Sequence, residues 1–159
     1  MRFKVIPTFV ALALVAGAAF LSFSLTPGEA AADDDRDHRN AENTFTKWAT
    51  DWPHLAGIVG GDVGRGTFAG EVLNYLPGAP GSPTFIEALY HFNGRKNSFT
   101  AHVYVTQIDL KAVIIGVVTD GWLKGNLVEG DYTQIKCSHD HIVTDCFQGT
   151  LDILQDSKH

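Results

Sequence analysis

The chain lacks the short signatures that usually mark a nucleophile or a phosphate site. Its 159 residues contain no G-x-S-x-G, no H-E-x-x-H and no P-loop. Gly64-Arg65-Gly66 has a phosphate-loop look, but a strand-like run follows it where a dinucleotide site requires a helix. Cysteine is scarce, with only Cys137 and Cys146, so no Cys cluster is available to hold zinc or a redox centre. Basic residues are in deficit, 12 against 18 acidic, which argues against nucleic acid and anionic membrane surfaces as partners. No long stretch carries a convincing helical period, which leaves strands to build the domain.

What is present begins with a leader. Arg2 and Lys4 precede an apolar run from Val5 to Leu25, and Ala30-Ala31-Ala32 supplies small residues before an acidic segment. This is the pattern of a signal peptide cleaved after Ala32, with an uncleaved anchor as the alternative. Cleavage removes Arg2, Lys4 and Glu29 and leaves 10 basic against 17 acidic residues, a charge of −7. Residues 33–43, opening D-D-D-R-D-H-R-N, hold too little apolar surface to repay ordering and are expected to be disordered. Residues 44–156 then form one domain, large enough for its own core. Export places the chain outside the cell, in the periplasm or at the cell surface, and permits a Cys137–Cys146 bridge. After cleavage no membrane association is expected.

Ala41 to His54 is ambiguous. Phe45 and Trp48 suit a helical turn, and Thr44, Thr46 and Thr50 suit a strand. Phe45, Trp48 and Trp52 are expected to cap one end of the core. From Gly57 the texture changes, and 14 of the 16 glycines lie between Gly57 and Gly149. They fall within or between short β-rich runs, as expected where strands bend or turn. Leu76 to Pro83 is a loop. Ala112 to Val118 is continuously apolar and reads as a strand buried on both faces. Glycine follows an aromatic by two or three residues at Phe68, Trp122 and Phe147, the spacing of aromatics covering kinks at barrel corners. The fold expected is all-β, an antiparallel barrel of about seven or eight strands, with a sandwich second.

Phe85 to Gln107 is the best-defined unit, two alternating strands joined by N-G-R-K-N. A four-residue loop pairs Asn93 with Ser98 and sorts the two faces. Phe92/Phe99, Tyr90/Ala101, Ala88/Val103 and Ile86/Val105 form an apolar face. The opposite face carries His91/Thr100, Leu89/His102 and Glu87/Tyr104. Glu87, His91, His102 and Tyr104 therefore share one face. If it lines a lumen they form an acid–base site, with His as acid or base, Glu orienting it and Tyr donating a hydrogen bond. If it faces water, it is an ordinary polar surface, the commoner arrangement. Glu71 and Glu87, on adjacent strands, are the best-placed carboxylates for glycosidase chemistry, a remote option. His139, Asp140, His141 and Asp145 lie in the loop between the cysteines. Adjacent ligands in a short loop rarely close a metal site alone, so no metal or cofactor is assigned.

At G-R-G-T-F-A-G-E-V, and again from G-V-V-T-D-G-W-L-K-G through C-F-Q-G-T-L-D-I-L, the chain resembles small exported bacterial β-barrel proteins of unassigned function. More loosely, it resembles allene oxide cyclase and dirigent-type barrels. The resemblance spans Ala56 to Leu154 and implies an apolar ligand cavity; it carries no catalytic residue across. Three functions are therefore in play. One is an exported barrel that binds a small apolar ligand. The second is a cofactor-free cyclase or isomerase using a lumenal Glu/His/Tyr cluster. The third is a structural or interaction protein with a filled core.

Overall fold

The computed structural model describes residues 40–137 and 145–155. Eight strands follow one another: β1 (Ala41–Ala49), β2 (His54–Gly61), β3 (Gly66–Leu76), β4 (Thr84–Gly94), β5 (Ser98–Ile108), β6 (Lys111–Gly121), β7 (Leu127–Ile135) and β8 (Cys146–Leu154). Each pairs antiparallel with the next, and β1 also pairs with β8, so the sheet closes into a barrel. Closure leaves no edge strand exposed. The expected all-β barrel is what forms, and the sandwich is not. Ala41 to Ala49 is strand β1, and a turn over residues 50–53 leads into β2 at His54. The alternation Ala41, Asn43, Phe45, Lys47 points inward, and Ala41 to Asn43 belong to β1 rather than to a disordered tail.

The β4–β5 hairpin has the four-residue-loop register, from Asn93↔Ser98 to Ile86↔Val105. Its apolar face is the inner one. Phe45, Phe68, Tyr90, Phe92 and Phe99 interlock there, with ring centroids 4.7–6.3 Å apart. Burying each ring contributes about 1.5–3 kcal/mol, and good edge or stacked pairs add roughly 0.5–1.5 kcal/mol. One end of the barrel is plugged. Val63, in the β2–β3 turn, is fully buried, and its amide donates to Asn43 Oδ1 at 3.0 Å. Asn43 Nδ2 in turn donates to the Ala41 and Leu151 carbonyls, both at 3.2 Å, so this buried amide has partners on both ends.

Strand β6 departs from expectation. Ala112, Ile114 and Val118 are buried, but Val113 and Ile115 are exposed. The run is continuous in sequence because its outer face is also apolar, not because both faces are covered. Gly116, in its centre, allows close strand approach: a Cβ there would lie 2.2 Å from the His102 carbonyl oxygen. The expected cover of glycine kinks occurs at Gly70, where a Cβ would lie 3.1 Å from the Phe68 ring. Gly125 has open space around it at φ +91° and serves a turn instead.

Candidate ligand site at the open end of the barrel

The end opposite the Val63 plug is open. A cavity of about 570 Å³ enters there, where the strands bordering the β1–β2, β3–β4, β5–β6 and β7–β8 connections converge. Leu55, Val72, Ile86 and Phe147 form its apolar wall, and Trp52 and Tyr75 stand at the rim. Trp52 is 64% exposed and meets the Tyr75 ring edge-on at 5.4 Å. The expectation that Phe45, Trp48 and Trp52 jointly cap the core is therefore modified. Phe45 is core, whereas Trp52 sits at the mouth.

Lys47 lies at the inner limit of this cavity. The strict alternation of β1 turns it inward, where it is 3% exposed. Its Nζ donates to the Tyr90 hydroxyl and lies 4.2 Å from the ring centroids of both Tyr90 and Tyr132. The Tyr132 hydroxyl donates to Gln107 Oε1 at 2.9 Å. No carboxylate pairs with Lys47 among the described residues. Burial holds its amine well below the ordinary lysine range, because an ammonium without a counter-charge is costly away from water. Burial likewise raises both phenols, with Tyr132 adding to the rise at Tyr90, so both stay protonated at neutral pH. The mouth thus presents an amine, two neutral phenols, the amides of Gln107 and Gln134 and the exposed Asp145 carboxylate, alongside its apolar wall.

The Glu87, His91, His102 and Tyr104 face points outward, which removes the lumenal premise of the cyclase arrangement. Ala88, Tyr90 and Phe92 between them occupy the interior. The cluster nonetheless assembles as its register requires. His102 Nε2 lies 2.8 Å from Glu87 Oε1, His91 Nδ1 lies 2.9 Å from Thr100 Oγ1, and the His102 and Tyr104 rings are 5.1 Å apart. Glu87 and His102 are partly exposed on the outer wall, and neither lines the cavity at the mouth. Glu71 is likewise an exposed position, on β3. Cys137 and Cys146 are bonded, with Cα atoms 5.2 Å apart, and tie the end of β7 to the start of β8 beside the mouth. Of the residues considered for metal, His139, Asp140 and His141 lie outside the described residues, and Asp145 is exposed at the start of β8.

A second hollow, of about 770 Å³, runs along the outer surface from Thr106 through Val113 to Thr133. It is larger, but outward-facing residues such as Thr106, Val113, Asp131 and Thr133 dominate its lining, and Lys47 and Tyr90 are not part of it. The mouth is the better site because enclosure and polar groups coincide there.

Sequence reasoning missed Lys47. Its signal was present: within A-E-N-T-F-T-K-W-A, residues 41, 43, 45 and 47 alternate with polar ones, and a lysine falls on the apolar phase. Indecision between helix and strand for this segment hid it.

Fold and site define a one-ended barrel, a cup plugged at one end and open at the other. Comparison with family models, with curated proteins and with solved structures gave no match.

Proposed function

We propose that this protein is an exported cup that binds a small, largely apolar molecule through its open end. The observation that carries the reading is the cavity of about 570 Å³, whose apolar walls converge on Lys47, Tyr90 and Tyr132. Pockets of this size and lining suit small-molecule ligands. The leader and the disulfide together support an oxidising compartment outside the cytoplasm. The resemblance to allene oxide cyclase and dirigent-type barrels points in the same direction, toward an apolar cavity. The test is native mass spectrometry of the exported protein, with the mass of any retained molecule read directly. A bound small molecule lost on filling the mouth with Val72→Trp supports the reading. Retention by that variant counts against it.

A second reading, an interaction protein, is favoured by the outer wall. Tyr104 pairs with Ile115 across β5 and β6, and Val113 follows two residues earlier on the same outward phase; all three are more than half exposed.

A further inference from the structure

From the placement of Lys47 we infer that the cup captures aldehydes covalently, its amine condensing with an apolar aldehyde to form an imine. This rests on the mouth being the ligand cavity and specifies the chemistry at its base. Three observations point to this. The amine is at the inner limit of a cavity large enough for a medium-chain or aromatic aldehyde. It is bonded to a phenol, Tyr90, rather than to a carboxylate. It is enclosed by Phe45, Tyr90 and Tyr132, which supply no group needing a permanent ammonium.

A carboxylate ligand would suit the site less well. It would have to surrender its own hydration as well as that of an ammonium. The Tyr132 proton is already committed to Gln107, whereas Tyr90 accepts from Lys47 and keeps its own O–H to donate. A neutral imine needs no counter-charge, and Lys47 has no carboxylate paired with it among the described residues; the acidic residue of the cavity lining, Asp145, is exposed. Burial favours the uncharged amine, the form whose lone pair attacks a carbonyl.

The step balances without a co-reactant. The Nζ lone pair attacks the carbonyl carbon, an N–C bond forms, and the C=O π pair moves to oxygen. One N–H proton passes to that oxygen, giving a carbinolamine. The Tyr90 hydroxyl then donates to the departing hydroxyl as the C–O bond breaks. Water leaves, the nitrogen lone pair completes the C=N bond, and the second N–H proton returns to the Tyr90 oxygen. Amine and aldehyde give imine and water, with nothing oxidised or reduced.

The experiment uses the exported protein with stoichiometric decanal and cyanoborohydride at neutral pH, followed by peptide mapping. Decanol is the unreactive analogue, and N-phenyl-1-naphthylamine reports occupancy of the cavity. The exposed Lys96, Lys111, Lys124 and Lys136 are internal controls. Aldehyde held in the cavity meets the Lys47 amine at a high effective concentration, so reduced adduct should accumulate on Lys47 at least about tenfold over any of them. Excess decanol should suppress it. Absence of a Lys47 adduct while decanol displaces the fluorophore overturns imine capture and leaves the ligand cavity standing. Absence of both adduct and displacement overturns the two together.

Discussion

Lys47 Nζ and the Tyr90 hydroxyl are hydrogen-bonded inside the barrel, with the Tyr132 ring centroid 4.2 Å from the same nitrogen. A lysine so placed opposes stability, since the unfolded chain would keep it hydrated and charged. Its direct neighbours carry no charge: β2 and β8 set Gly57 and Phe147 beside it, and β4 and β7 supply neutral phenols, while Asp145, the acidic residue of the cavity lining, is exposed and forms no ion pair with it among the described residues.

Stability should therefore respond to Lys47→Met and to pH together. At pH 7 the variant should be more stable by about 1–4 kcal/mol in urea unfolding. The sign with pH follows from proton binding. Unfolded Lys47 holds its proton up to its ordinary value of 10.5, and folded Lys47 releases it well below that. Between those values the unfolded state binds more protons, so wild-type stability rises with pH. The gap between variant and wild type should narrow from pH 7 toward pH 10. Above pH 10 the raised phenols act in the opposite direction, because only the unfolded chain loses their protons, and wild-type stability falls.

Asp152 should behave as a strained carboxylate on the outer wall. Burial first, then the charges of Glu42, Glu129 and Asp131, raises its pKa, and its Oδ1 is buried without a hydrogen-bond partner. Glu42 and Glu129 are its direct neighbours across β1 and β7. Folded Asp152 thus keeps its proton to higher pH than the unfolded chain does. Stability is lost as pH rises through that window. Asp152→Asn should raise the melting temperature at pH 7, and the difference should vanish below pH 4.

Reduction of Cys137–Cys146, or Cys→Ser at both, should lower stability by roughly 2–3 kcal/mol, the expectation for a loop of about ten residues. The barrel should survive the loss, since β7 and β8 pair over Leu127–Ile135 independently of the bridge. Far-ultraviolet circular dichroism should be unchanged while the denaturation midpoint falls.

Gly149→Ala should be far more damaging than most surface changes. A Cβ there would lie 1.9 Å from the Asp131 carbonyl oxygen, so β7 and β8 would have to separate. A loss of about 2 kcal/mol or more should appear in the same unfolding assay. His102→Ala, on the partly exposed outer wall, should cost less than about 1 kcal/mol and leave fluorophore binding unaltered.

The sequence made the β4–β5 hairpin legible pair by pair, because a short loop fixes register and apolar sorting selects one loop length. It did not disclose which face was inner. Glu87, His91, His102 and Tyr104 sort together in either case, and only closure of β1 onto β8 decides that they face outward. The same closure explains β6: Val113 and Ile115 look like core residues until the curvature leaves them outside. Lys47 was illegible for a different reason. Its segment is short, its aromatics fit either period, and the partners that reveal its role, Tyr90 and Tyr132, lie 43 and 85 positions further along. Cys137 and Cys146 were legible because a leader-like N-terminal pattern and an even cysteine count agree.

Backbone amide chemical shifts of the protein titrated with decanol test ligand binding at the mouth most directly. The cup predicts saturable changes clustered at Lys47, Leu55, Val72, Tyr90, Tyr132 and Phe147. Changes confined to the outer wall around Tyr104, Val113 and Ile115, or none up to saturation of decanol in water, would contradict it.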